Sequence, residues 1–226
     1  MEIIKKTVQY VGGMLLIAIG INISKLARLG ISPVSSLPRA AELIWGITLG
    51  TASIALNLIC ILLQFLILRK KFRPVNILGV AVSIAFGYMI DLTGSDPKAF
   101  GHLMAGFPVP QSYLLKLLYM CVSVVLIGLG VFSYVRTGWV PMATDGLSTA
   151  VAEVSGKPFG SCKTIVDTCM VLSAAALQMI FLGGLSSFTG ENVVVREGTF
   201  FAAIFVGQIV RLIGRISDIK RPEEGR

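Results

Sequence analysis

The feature that most restricts this chain is its supply of long apolar runs. Six of them, at about residues 8–27, 49–68, 75–93, 112–135, 160–182 and 198–215, carry little charge, and roughly 20 helical residues suffice to cross the hydrocarbon of a bilayer. A soluble domain surrounds its core with a wetted shell, and about a quarter of its residues are charged. Here only 14% are charged and 54% are hydrophobic, and mean hydropathy is +0.81. Such a shell cannot be built. The chain reads as an all-α polytopic membrane protein whose first partner is the lipid bilayer.

The net charge of +8 does not point to nucleic acid, because Lys and Arg gather at Lys5 and Lys6, at Arg69, Lys70, Lys71 and Arg73, and from Arg211 to Arg226. Basic clusters beside apolar spans mark cytoplasmic loops, and little exposed face is left for a polyanion. Cys60, Cys121, Cys162 and Cys169 lie in apolar stretches without a CxxC pair. They read as small buried apolar residues, with no metal or redox site. The run from Val8 to Leu26 is too long for a signal-peptide core and reads as the first span.

Two more helical stretches, at about 33–45 and 142–155, are too short for an ordinary crossing. Each follows a proline and ends at a glycine, the residues that suit a helix entry and exit. The halves of the chain also match. Arg28, Gly30 and Pro33 correspond to Arg136, Gly138 and Pro141 at an offset of 108, as Gly20 does to Gly128. Gly46, Gly50 and Asn57 correspond to Gly156, Gly160 and Asp167 at 110, and Gly87 to Gly207 at 120. This order reads as a duplicated unit: a first repeat over 1–93, a linker over 94–111, a second repeat over 112–216 and a basic tail over 217–226. If the short helices dip in and return, six spans remain, and both termini and the RKKFR loop face the cytoplasm. Three spans per half make the repeats inverted, a transporter signature when helices are interrupted.

Non-helical backbone at membrane depth survives only where protein or water satisfies it. GISPVSSLP (Gly30 to Pro38) and GWVPMATDG (Gly138 to Gly146) are therefore expected to line a solute path. In the first, Ser32 is expected to cap the helix that begins at Pro33, and Ser35 and Ser36 add hydroxyls. In the second, Pro141, Thr144 and Asp145 take these places, with Arg28 and Arg136 beside the two segments. Helix N-termini meeting from opposite sides would favour an anionic group. Asn57 and Asp167 fall seven residues past a matched glycine, roughly 10 Å into their spans. Asp167 is the candidate site for a coupling ion, with Lys163 one turn before it on the same face. Arg196 and Glu197 open the last span. Adjacent opposite charges there suit either a gate or simple contact with headgroups and the helix dipole. GKPFGSCKT departs from a phosphate-binding loop at Lys157 and Cys162, and His102 is the only histidine.

GISPVSSLP, the following TLG, RKKFR, FGYMIDL and VREGTFFAAIFVG together resemble the YczE-like family of bacterial integral membrane proteins (the YczE, YyaS and YitT types). The resemblance covers nearly the whole chain. It implies a bacterial inner-membrane protein of transporter-like build with no assigned function. Where members of that family carry Pro-Gly-Glu, this chain has Ala143, Thr144, Asp145 and Gly146.

The expectation is thus six transmembrane helices and two short re-entrant helices in inverted halves. They would carry out secondary transport of a small polar or anionic solute across the bacterial inner membrane, coupled to H+ or a cation at Asp167. A second copy of the chain is an allowed partner. No cofactor is implied, and no nucleophile–base pair supports an enzyme. A channel would need no coupled carboxylate. A substrate-binding subunit of an importer would need an ATPase partner, and a non-transporting membrane factor would bind no solute.

Overall fold

A computed structural model describes residues 2–72, 74–96, 98, 99, 101, 103–182 and 194–219. Among them the chain is all-helical, with eight α-helices and no strand. These are α1 (Glu2–Ala27), α2 (Pro33–Trp45), α3 (Leu49–Leu68), α4 (Leu78–Thr93), α5 (Tyr113–Arg136), α6 (Ala143–Ser155), α7 (Phe159–Phe181) and α8 (Glu197–Ile219). Four of them, α1, α3, α5 and α7, are long and apolar enough to cross a membrane; α4 and the stretch Glu197–Val210 of α8 are shorter apolar helices. This is the composition of a membrane protein.

The helix ends follow local chemistry. α1 begins at Glu2, before the apolar run, because nothing between there and Val8 breaks a helix. α4 starts later than its apolar run, since the Pro74–Ile77 segment winds as a 3₁₀ turn, tighter than an α-helix and common at helix entries. α2 and α6 both end on a glycine in the left-handed region, Gly46 (φ 66) and Gly156 (φ 68). Their N–H groups donate to the carbonyls of Glu42 and Ala152, four residues back. That conformation costs glycine nothing. His102, residues 183–193 and residues 220–226 of the basic tail lie outside the described residues.

α1 and α5 share the most extensive seam. Gly13 lies against Gly130 and Tyr134, and Gly20 against Ser123 and Ile127, so the two helices run antiparallel. A Cβ on Gly13 would stand 2.8 Å from the Gly130 carbonyl oxygen. Ser123 donates to the Gly20 carbonyl at 2.7 Å. Small residues that let backbones approach are what apolar helices use to associate when solvent supplies no drive. On the flanks of the seam, α4 packs on α1 and α8 packs on α5. Asn22 of α1 donates to the Ile90 carbonyl at 2.8 Å and to the Thr93 hydroxyl at 3.0 Å.

The short helices cross over between the halves: α2 packs on α7 and α6 packs on α3. α3 and α4 form a closed pair. A Cβ on Gly50 would collide with the Gly87 carbonyl, and Asp91 caps the start of α3 by accepting from the Gly50 N–H at 2.8 Å and the Thr48 hydroxyl at 2.7 Å. Of the cysteines, Cys60 and Cys162 are buried and Cys121 is half-buried. Cys169 is exposed, contrary to the expectation of four buried thiols, because it falls on the outward stripe of α7.

Gly12 and Gly13 test the seam side by side, since a Cβ on Gly12 meets nothing within 4 Å. Gly13→Ala is expected to destabilise the protein by about 1–3 kcal/mol through overpacking. Gly12→Ala should leave the melting temperature of the purified protein in detergent unchanged or slightly raised.

Candidate functional site

The segment before α2 turns sharply through Arg28 (φ 53) and Gly30 (φ 100). It is held against the start of α8 by backbone bonds from Ile31 N–H to the Val194 carbonyl at 3.2 Å and from Gly198 N–H to the Leu29 carbonyl at 2.8 Å. Ser32, Pro33, Ser35 and Ser36 are buried. Ser32 occupies the capping position but makes no side-chain cap. Its hydroxyl donates instead to the Ser35 hydroxyl at 3.1 Å, and Ser36 donates to the Pro33 carbonyl at 2.6 Å. Short hydroxyl side chains readily bond such nearby groups in place of the cap. Lys25, Arg39 and Glu42 form a three-residue ion network, with the Lys25 ammonium on Glu42 and Arg39 at 2.5 Å from it. Glu42 thus pairs with two cations, one from the end of α1 and one from α2 itself.

In the second half Arg136 ends α5, with its guanidinium over the Phe132 ring at 5.8 Å. Pro141 is exposed and Thr144 is buried in the first turn of α6. Tyr10 of α1 donates to the Val140 carbonyl at 2.8 Å, and its ring meets Tyr134 edge-on at 6.2 Å. Gln64 of α3 donates to the Ala143 carbonyl at 2.8 Å. The first turn of α6 is thus received by α3, whereas Pro33 of α2 lies beside α7 and the start of α8.

One polar array joins three helices of the second half. The Tyr134 hydroxyl (α5) donates to Asp145 (α6). Lys163 (α7) lies 2.8 Å from Asp145 and 3.4 Å from Asp167. The pairing of Lys163 with Asp167 that their spacing predicts is therefore present, and Asp145 is the nearer partner. The three charged side chains are between 20% and 31% exposed, so a low-dielectric surround strengthens their attraction without removing all water. Sequence reasoning missed Tyr134. Its only signal there is a hydroxyl-bearing aromatic near the end of an aliphatic run.

Asp167 also lines a cleft of about 480 Å³ between α7 and α8. Arg196 and Glu197 stand on the α8 side, 2.7 Å apart, with Pro33 beside them. Asn57, which matches Asp167 in the first half, is buried in α3.

Comparison with known proteins gives a family but no activity. The family model described as Family of unknown function (DUF6198) matches residues 4–215. "Uncharacterized protein YyaS" of Bacillus subtilis (strain 168) is 27% identical over 206 residues, covering 91% of this chain and 94% of the relative. No solved structure matches.

Removing the cation from the array should cost more than removing the cation together with one of its carboxylates. Lys163→Met alone leaves Asp145 and Asp167 facing one another and is expected to destabilise by about 1–3 kcal/mol. The double variant Lys163→Met/Asp145→Asn should recover part of that loss in the same detergent melting assay. Equal losses would mean that the array is not energetically coupled.

Proposed function

The chain thus belongs to this family of unknown function, and we propose that it is a secondary transporter of a small solute across the bacterial inner membrane, coupled to H+ or a cation at Asp167. One observation carries the reading: a lysine shared between two carboxylates lies among apolar helices, and one of those carboxylates faces a cleft. Ionisable groups at such positions are costly and by default mark an ion or solute path. When Asp167 takes up a proton or cation, Lys163 turns wholly to Asp145. When Asp167 is emptied, Lys163 bridges both again. Occupancy of Asp167 is thereby felt by α6 and, through the Tyr134 hydroxyl, by α5.

In this reading the chain has six spans, α2 and α6 are re-entrant, and the halves are inverted. Support comes from the antiparallel α1–α5 seam, which is how matched helices meet when each half contributes an odd number of crossings. Lys71 lies 3.9 Å from Glu153, linking the α3–α4 turn to the end of α6. Lys98 donates to the Gly46 carbonyl at 3.1 Å, linking the segment after α4 to the end of α2. Each short helix therefore ends beside a turn between long helices, on opposite sides. The basic 69–71 turn and both termini then face the cytoplasm.

Two measurements test this. Single cysteines in place of Lys71, Lys157 and Leu103, in a chain lacking its native cysteines, should react with an impermeant reagent from outside only at position 103. Labelling of position 71 from outside would refute the inverted arrangement. In proteoliposomes carrying an entrapped pH dye, a panel of organic anions, cations and zwitterions should reveal solute-dependent proton flux that Asp167→Asn abolishes. Undiminished solute flux through Asp167→Asn would make the protein a channel. No flux with any solute would favour a non-transporting membrane factor.

A further inference from the structure

The α7–α8 cleft exists because the second half leaves open a crossing that the first half closes. α3 and α4 meet at Gly50 and Gly87, where a Cβ on either would collide with the other helix. The matched glycines of α7 and α8 are Gly160 and Gly207, and a Cβ on either meets nothing within 4 Å. Both helices keep the residues that would permit close approach, yet they stand apart. Between them lie apolar walls formed by Val171, Leu172, Ala175, Phe200 and Ala203. Leu172 and Phe200 are exposed at the rim.

Charge decides what such a space accepts. Among the described residues its lining carries Asp167, Glu197 and Arg196, and Lys163 and Asp145 adjoin Asp167, so these five groups have one negative charge in excess. Arg196 is engaged by its own neighbour Glu197. Lys163 is nearer Asp145 than Asp167, and Asp145 also accepts from Tyr134. Asp167 is the least neutralised member of the group, and it lines the cleft. An anion there would meet repulsion strengthened by the apolar surround. A compact polar solute would meet the hydroxyls of Thr164, Thr168 and Thr199 but lose hydration against Val171, Leu172, Ala175, Phe200 and Ala203. A cation with an apolar body satisfies both walls and charge, and the Phe200 ring adds a face of the kind that attracts organic cations.

We propose that the α7–α8 cleft binds a small amphiphilic organic cation, with its charged centre at Asp167 and its apolar body between Leu172, Phe200 and Ala203. The proposal rests on the transport reading and narrows its solute from polar or anionic to cationic and amphiphilic. Bound cation and coupling proton then compete for one carboxylate, which makes the exchange an antiport.

The test is equilibrium binding of radiolabelled tetraphenylphosphonium to the purified full-length protein in detergent, with tetraphenylborate as an anion of the same shape. Saturable binding near one per chain is expected, without competition from tetraphenylborate. Asp167→Asn should weaken it about tenfold or more, as losing one partner of a desolvated charge pair does, while Asp167→Glu retains it. Ala203→Phe, which fills the cleft without touching a charge, should weaken binding comparably, and it decides the matter if Asp167→Asn elutes as aggregate. Absence of saturable binding, equal binding of tetraphenylborate, or indifference to both Asp167→Asn and Ala203→Phe would each overturn the site. Because the assay needs no gradient, it separates the two ideas. Binding without flux in liposomes keeps the site and removes the transporter. Asp167-dependent flux of another solute without phosphonium binding does the reverse.

Discussion

The antiparallel contact between α1 and α5 is the constraint from which the other helix positions follow. Apolar helices in an apolar surround gain nothing from burial as such, so their association depends on how closely their backbones fit. Gly13, Gly20 and Gly130 remove the side chains that would hold α1 and α5 apart. With that seam fixed, α4 can reach Asn22 on one flank and α8 can lay Ile209 against Gly128 on the other. The same seam brings the halves close enough for each short helix to pack on the long helix of the opposite half.

Polar groups add direction to contacts that glycine makes possible. Asn22 binds the last turn of α4, Gln64 binds the first turn of α6, and Asp91 binds the first turn of α3. Gln178 accepts from the Val194 and Val195 N–H groups ahead of α8. In each case a side chain inside an apolar helix satisfies backbone groups at the end of another element. The Ile90 carbonyl and the Gly50 N–H are groups without a partner in their own helix, and no bilayer solvent can replace one. Each such bond therefore fixes where a helix begins or ends relative to its neighbour.

The helix inventory is legible in the sequence because apolar run length, proline and glycine act locally. Pro33 and Gly46 bound α2 where they stand, and α3 coincides with the run from 49 to 68. The matched spacing also singles out Asp167, with Lys163 one turn away, and the second short-helix segment brings in Asp145, so the charged members of the array are legible although their meeting is not. The rest depends on tertiary placement. No spacing rule joins Tyr134 to Asp145, or Lys25 to Glu42 across the turn between α1 and α2. Ser32 shows the opposite failure: a local rule points to a cap, but a neighbouring hydroxyl competes for the same group. The exchange of short helices between halves is invisible in a linear chain for the same reason.

The α3–α4 and α7–α8 pairs also differ in how they seat Asn57 and Asp167. Asn57 and Asp167 hold matched places, but the neutral amide is buried in the closed half while the carboxylate borders an open cleft. An amide carries no net charge, so enclosing it costs less than enclosing an ion. A carboxylate beside only a shared cation resists enclosure far more strongly, because burial without full pairing leaves charge in a poor solvent. The closed α3–α4 pair thus encloses the neutral residue, and the open α7–α8 pair leaves the carboxylate at its cleft. In the transport reading proposed above, neutralising Asp167 by a proton or a bound cation would remove the charge that resists enclosure.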